Sequence, residues 1–382
     1  MRLPRLPYRL PPSLLATQLA AFALLAACGS DGPPTAPALP EGALEAVVVE
    51  PGVSRERLAR AVDALFTADG IGETRAVVVL RDGKIVAERY AEGYDAKTPF
   101  VGWSISKTVT GVLIGMLVAD GRLALDAPAP VPRWQRTGDP RGEITLRHLL
   151  QMRSGLRHQE QAKPIQDSAE VRMMYLDGRD NMAGWAEAQP LEQEPGTHFQ
   201  YSTNSTVILA DIAARRLDPE GSPKERQRAM QDFVDARLAV PLGMASLRGE
   251  YDASGTLIGG SAFWANARDW AKFGEFLRSG GRANGVQVVP KGWIEFMTAA
   301  SPAAPDYGAM LWRNADSGSE REVLSLSRMQ PGTYGAVGHL GQYVIVSPSQ
   351  RLVVVRLGKT DETDRHALTQ RLGDVFALYP GR

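Results

Sequence analysis

Phe100-Val101-Gly102-Trp103-Ser104-Ile105-Ser106-Lys107-Thr108-Val109-Thr110-Gly111-Val112-Leu113-Ile114-Gly115-Met116-Leu117 passes from a polar start into an apolar run at helical spacing. Val109, Val112, Leu113, Met116 and Leu117 fall on one face, which predicts a helix over about Thr108 to Ala119. Ser104 and Lys107 stand three apart at its start, so their side chains share a face. A serine hydroxyl becomes a good nucleophile when a base takes its proton, and burial beside positive groups lowers a lysine pKa enough for that role. The helix N-terminus adds backbone N–H groups suited to a developing oxyanion. Ser-x-x-Lys alone is a common spacing and also fits a capped surface helix.

Strand signals flank this helix. Ala76 to Leu80 and Lys84 to Tyr90 read as a hairpin through Asp82-Gly83, a pair suited to positive backbone angles. A second hairpin joins Gln342 to Val346 and Leu352 to Leu357 across Pro348-Ser349-Gln350, and an amphipathic helix follows from about Arg365 to Leu378. Near the other end, Ser54 is placed to cap a helix carrying Leu58, Ala61, Val62, Leu65 and Phe66. Between residues 99 and 300 helices dominate, the clearest further ones being Leu146 to Met152, Ala229 to Leu238 and Ala267 to Arg278 with Asn266 as N-cap. The pattern predicts an α+β fold: an antiparallel sheet flanked by its terminal helices, an inserted helical region, and a cleft between them. The sheet part is expected over about 46–98 and 301–382, and the helical part over about 99–300.

The N-terminus carries a different signal. Arg2, Arg5 and Arg9 precede an apolar stretch from Leu14 to Ala27, which reads as an export signal over residues 1–27. It ends in Leu25-Ala26-Ala27-Cys28, and Cys28 is the only cysteine among 382 residues, so no internal disulfide is available. The ending resembles the lipobox of bacterial lipoproteins. That resemblance implies lipidation at Cys28 and anchoring to a membrane, with the chain in the bacterial periplasm on the outer membrane. Residues 28–45, rich in proline, read as a tether, and residues 46–382 as the folded domain.

Lysine plus arginine and aspartate plus glutamate each count 43, so the formal charge is zero and no nucleic-acid partner is indicated. His148, His158, His198, His339 and His366 lack metal-ligand spacing, so neither a metal nor another cofactor is expected. His148, among leucines, reads as a packing residue, whereas His158 and His198 are candidates for the cleft border. Trp103, Trp264 and Trp312 suit either an acyl pocket or the core. Gly102-Trp103-Ser104-Ile105-Ser106 approaches a Gly-x-Ser-x-Gly elbow, but Ser106 stands where the second glycine belongs and no clear strand precedes it.

Four stretches in order carry a wider resemblance. They are Phe100 to Thr110, Ile144-Thr-Leu-Arg-His-Leu-Leu-Gln-Met-Arg-Ser-Gly-Leu156, Phe199-Gln-Tyr201-Ser202-Thr203-Asn204 and Gly338-His339-Leu340-Gly341-Gln342. Together with Gly259-Gly260-Ser261 and Ala267 to Gly274, they resemble the serine β-lactamase-related hydrolases over roughly residues 75 to 360. The resemblance implies that Tyr201 lies beside Ser104 and Lys107 and shares their proton transfers. It implies an oxyanion hole from the backbone N–H groups of Ser104 and Gln342, with Gly341 letting substrate approach. His339, Asn204 and Trp103 are the further substrate-binding candidates. His339 and Leu340 replace a lysine and a threonine of the β-lactamases. The family's asparagine two residues after the tyrosine is Thr203 here, with Asn204 one later.

These variations look closest to the esterase and aminohexanoate-oligomer amidase branch. The expected activity is therefore hydrolysis of a small-molecule carboxylic ester or linear amide through an acyl-enzyme on Ser104. A D-alanyl-D-alanine peptidase, a weak β-lactamase, and a catalytically silent binding or regulatory protein on the same fold are the alternatives. Oligomeric state is left open by the sequence.

Overall fold

The structure, a computed structural model, describes residues 38–40 and 42–381. The expected export signal over 1–27 and Cys28 lie outside the described residues. The packed unit runs from Glu41 to Arg382. It takes in residues assigned to the tether from sequence: Ala43 is 3% exposed and Leu44 O accepts from Arg55.

In chain order the strands are β1 (Glu73–Arg81), β2 (Lys84–Tyr90), β3 (Phe100–Val101), β4 (Arg248–Gly249), β5 (Phe263–Ala265), β6 (Arg282–Ala283), β7 (Val286–Gln287), β8 (Trp312–Arg313), β9 (Tyr334–Gly338), β10 (Gln342–Ser347) and β11 (Leu352–Lys359). The helices are α1 (Arg55–Thr67), α2 (Ile105–Ala119), α3 (Leu146–Leu150), α4 (Ala169–Tyr175), α5 (Met182–Glu187), α6 (Thr203–Leu217), α7 (Pro223–Val234), α8 (Val240–Leu242), α9 (Ala267–Arg278), α10 (Lys291–Thr298) and α11 (Arg365–Ala377).

The main sheet is antiparallel in the order β2-β1-β11-β10-β9-β8, so strands from the two ends of the domain meet at β1 and β11. Asp82 and Gly83 join β1 to β2 with φ of 55° and 74°, the positive angles that their residue types suggested. Val77, Val78 and Val79 are all fully buried, so both faces of the sheet are covered. Helix α9 covers one: Gly274 has no room for a Cβ because Val344 and Val353 press against it. Helices α1 and α11 pack on each other as the other layer. Helix α9 thus belongs to the sheet layer, although its position in sequence had placed it in the helical part. Its apolar face, with Trp270, Phe273, Phe276 and Leu277 buried, needs a sheet to cover it.

The helical part centres on α2 and α6, both buried nearly all round. Ser54, Asn266 and Ser202 accept at the N-termini of α1, α9 and α6 as N-caps. Helix α7 starts at Pro223, earlier than its apolar spacing implied, because Ser222 and Glu225 form a capping box. The charged run at Lys224 lies on its solvated face.

Candidate active site

Strand β3 pairs with β5 and ends one turn before Ser104, so a short strand does precede the serine, contrary to the sequence reading. Two residues are too few to show period-two alternation. Trp103 completes the turn at φ 47°, a left-handed conformation that a bulky residue rarely adopts. Ser104 is then the N-cap position of α2, with no side-chain cap of its own, so its hydroxyl is free for another partner. That partner is Lys107, whose Nζ lies 3.0 Å from Ser104 Oγ. Ser106, by contrast, is fully buried and accepts from Phe263 N, which makes it a structural residue.

Lys107 is 1% exposed and has every direction filled. Its ammonium donates to Thr203 Oγ at 2.8 Å and to Gly260 O at 3.1 Å, and lies 3.7 Å from Glu160 Oε1. Tyr201 arrives on the residue preceding the α6 cap, and Lys107 Nζ sits 4.9 Å from its ring centroid. The phenol ring is held by stacking on Trp312 at 5.3 Å and by an edge contact with Tyr307 at 6.0 Å. Ser104, Lys107 and Tyr201, separate in sequence, therefore converge.

The electrostatics differ from those the sequence suggested. Burial alone would lower the Lys107 pKa, but Tyr201, Glu160 and Glu170 outweigh it and hold the ammonium above its ordinary value. Burial likewise raises the Tyr201 phenol, opposed by the Lys107 charge and by its contact with Ser104. Carboxylates, and not positive neighbours, surround the lysine. Glu160 accepts from His158 Nε2 and Thr203 N. Burial works against its charge, but Lys107 and these bonds hold its pKa at about 2. Glu170 goes the other way, pushed up to about 7 by burial and by Glu160.

A pH effect on stability follows. Glu170 has a folded-state pKa above its ordinary 4.5, so its contribution is complete below that value and is lost as pH rises through about 7. Glu170→Gln removes this penalty. Its melting temperature, measured relative to wild type, is expected to rise between about pH 5 and pH 7 and to level off above that. A difference that stays flat over that range contradicts the assignment.

Other sequence candidates land differently. Gln342 pairs directly with Gly338 across β9 and β10. Asn314 N donates to Thr333 O on the β8 side of β9, so by strand alternation Thr333, Gly335 and Val337 turn their backbone groups toward β8, and Gly338 turns toward β10. The Gln342 N–H is thus taken up in the hairpin. The Gln342 side chain bonds Gly358 and the carbonyls of His339 and Leu340, a structural lock. Strand β8 reaches only Gly335, which leaves the Val337 N–H on an open edge. The next residue, Gly338, abuts the nucleophile's turn: a Cβ there would collide with Gly102 O and press on Trp103. Register turns the Gln342 N–H into the hairpin and leaves the N–H groups of Val337 and His339, on either side of Gly338, on the open side, and a glycine-rich motif does not fix it.

Gly341 is required by the protein itself. Its φ is 76°, and a Cβ would meet Arg356, Thr360 and Leu368. Asn204, 1% exposed on α6, has both side-chain polar atoms unpartnered among the described residues and does not reach Lys107; Thr203 does. His339 is exposed on the β9–β10 turn, edge-on to Trp103 at 5.5 Å, and these two border the serine. His148 serves in the α3 capping box, and His198 is exposed and meets Thr197. Trp264 donates to Glu250 away from the serine, whereas Trp312 supports Tyr201. The sequence reading missed Glu160, Glu170 and Thr203 as a lysine partner.

Gly338→Ala tests the close approach of β9 to the nucleophile's turn. A shift of that turn by about 1 Å is expected to lower kcat on an activated ester about 100-fold. Turnover like wild type would show that the two segments do not need this contact.

A serine and a buried lysine thus meet at the head of a helix beside an antiparallel sheet, an arrangement that suits a serine hydrolase. The sequence model of the family described as Beta-lactamase matches residues 62–377, and the chain belongs to that family. It is 25% identical over 309 residues to a 6-aminohexanoate-dimer hydrolase of Paenarthrobacter ureafaciens, covering 77% of this chain and 74% of that one. It is 33% identical over 212 residues to esterase EstB of Burkholderia gladioli, covering 49% and 50%. A family VIII carboxylesterase structure superposes with a TM-score of 0.62 at 16% identity, covering 83% of this chain and 96% of that one. A β-lactamase structure from Mycobacterium bovis gives 0.57 at 18%, covering 83% and 99%. At these identities the structural matches establish the β-lactamase-like fold.

Proposed function

We propose that the chain hydrolyses carboxylic esters or linear amides in two steps, with Ser104 as nucleophile and Lys107 and Tyr201 as the proton-transfer pair. The observation that carries this reading is the 3.0 Å contact of Ser104 Oγ with the buried Lys107 Nζ. Ser104 attacks the carbonyl, and its proton passes to the Lys107–Tyr201 pair and then to the leaving group. The oxyanion is held by the N–H of Ser104 and by the open edge of β9 on either side of Gly338, at Val337 and His339. Ser104 N, at the head of α2, donates to no other group among the described residues, and Val337 lies on the open edge of β9. Water then releases the acyl group by the reverse sequence of proton movements.

Ester and amide substrates are favoured by the names of the relatives, a 6-aminohexanoate-dimer hydrolase and an esterase. The cleft rim at Trp103 and His339 is aromatic, and Leu340 offers no hydroxyl to a substrate carboxylate. A panel of p-nitrophenyl esters, an aminohexanoate dimer, a D-alanyl-D-alanine peptide and a chromogenic cephalosporin tests the reading. Esters or the dimer should be turned over best and the cephalosporin worst. Efficient cephalosporin hydrolysis with no ester turnover would overturn it. We further propose export and lipid anchoring through Cys28 in the periplasm, on the strength of the Leu25 to Cys28 sequence. Incorporation of labelled palmitate by wild type and not by Cys28→Ala is the expected result.

A further inference from the structure

Two glutamates reach the site from a segment to which the reaction assigns no task. Glu160 comes from the loop before α4, and Glu170 from the first turn of α4 itself. Both point at one hydroxyl. Thr203 Oγ lies within hydrogen-bond distance of Glu160 Oε1 and 3.2 Å from Glu170 Oε1, and it accepts from Lys107 at 2.8 Å. Thr203 is completely buried, so bulk solvent does not reach this hydroxyl.

Counting protons at that hydroxyl leads to a definite state. A threonine hydroxyl has one proton to give and two lone pairs to fill. An ammonium only donates, so Lys107 occupies one lone pair. The single Thr203 proton can go to one carboxylate, and the second carboxyl group must bring its own proton. Glu160 already accepts from His158 Nε2 and from Thr203 N, and it faces Lys107 at 3.7 Å, which suits a carboxylate. Glu170 has neither the His158 nor the backbone donor and is farther from Lys107; its further neighbour, the Ser261 hydroxyl, can accept as well as donate, so Glu170 is the group left to carry the proton. The direction of its pKa agrees.

We infer that Glu160 and Glu170 are positioning residues of the hydrolytic site, the first as a carboxylate and the second as a protonated acid. They clamp the Thr203 hydroxyl between them and so hold Lys107 as an ammonium against Ser104 and Tyr201. The inference rests on the hydrolase reading above. Its energetic content is that the Glu160 charge raises the basicity of the Lys107–Tyr201 pair. A stronger base reaches its active, deprotonated form at higher pH and accepts the serine proton more readily once there.

The titratable groups facing the cluster are few. Lys107 of α2 meets Tyr201, Glu160 and Glu170, and Glu160 meets His158. Tyr307 faces Tyr201 and Glu160 from the segment before β8, and Tyr175 faces Glu170 from the end of α4. Glu160 also faces Glu170, so removing its charge acts on the Lys107–Tyr201 pair and lets Glu170 ionise more readily; Glu170→Gln, which has no charge to lose, separates the two effects.

The test compares Glu160→Gln, Glu170→Gln and Glu170→Ala with wild type on p-nitrophenyl acetate from pH 5 to 10, with fluorophosphonate labelling of Ser104 to count competent sites. Glu160→Gln is expected to move the acid limb of kcat/KM by about one unit to lower pH and to cut the kcat plateau about tenfold, with KM changed less than about twofold. Below about pH 7, where Glu170 carries its proton, Glu170→Ala is expected to lose about tenfold in kcat, and Glu170→Gln, which keeps a neutral donor for Thr203, to recover most of that loss. An unshifted acid limb in Glu160→Gln, or Glu170→Gln as poor as Glu170→Ala, overturns the inference. If Glu160→Gln does not fold, the Glu170 pair alone decides. Wild type that reacts with the probe while the variants keep its profile removes the positioning role only. Wild type that fails to react removes the hydrolase reading itself.

Discussion

Lys107→Ala is expected to lower kcat on an activated ester by about 10³-fold or more, and to destabilise the fold at the same time. The catalytic loss arises because Lys107 Nζ is the group at 3.0 Å from the nucleophile oxygen, and because its charge is what favours proton transfer through Tyr201. The stability loss has a separate cause. Glu160 is held as a carboxylate chiefly by this ammonium, so removal leaves a largely buried anion with only His158 and Thr203 as donors. Breaking one side of such a pair costs about 3 kcal/mol. Without the ammonium the Glu160 pKa rises in the folded state, so the loss should be smaller at pH 5 than at pH 8, read by denaturant unfolding. A variant with wild-type turnover would show that Lys107 is only a core residue.

Tyr201→Phe is the second large effect, and it should separate chemistry from packing. The ring stacks on Trp312 at 5.3 Å and meets Tyr307 at 6.0 Å, contacts that phenylalanine keeps. Only the phenol oxygen is lost, together with its place between Lys107 and Ser104. kcat should fall about 10²- to 10³-fold while KM and the melting temperature stay close to wild type. A drop in melting temperature with kcat unchanged would assign the phenol to the core. The contrast with Lys107→Ala, which moves both quantities, makes the pair informative.

Much of this architecture is legible in the chain. Strand β2 and helix α9 coincide with their sequence-based bounds, because Asp82-Gly83 closes a hairpin and Asn266 caps a helix whose apolar period is clear. The Ser104–Lys107 spacing places the two side chains by helix geometry alone. What the sequence hides is long-range or a matter of register. Glu160 and Glu170 lie in a stretch with little periodicity, and nothing local marks them as neighbours of a lysine more than 50 positions earlier. Thr203 stands where the family's asparagine is expected and takes over the contact with Lys107, whereas Asn204 points elsewhere on the same helix.

The proposed second oxyanion donor shows the same limit more sharply. A hairpin can be recognised from Gly338 to Gln342, but which N–H groups lie on its open edge depends on the parity of β9, set by the Asn314–Thr333 bond to β8. The helix α7 start, by contrast, was available in principle, since Ser222-Pro223-Lys224-Glu225 is a capping box with proline at the first helical position.

The account stands or falls on the identity of the nucleophile. Wild type and Ser104→Ala, treated with a fluorophosphonate and digested, can be compared by peptide mass spectrometry for the modified residue. The result predicted is one adduct per chain on the peptide bearing Ser104, assigned to Ser104 and not to Ser106, and no adduct on the variant. An adduct on Ser106, or equal labelling of the Ser104→Ala chain, would contradict the mechanism.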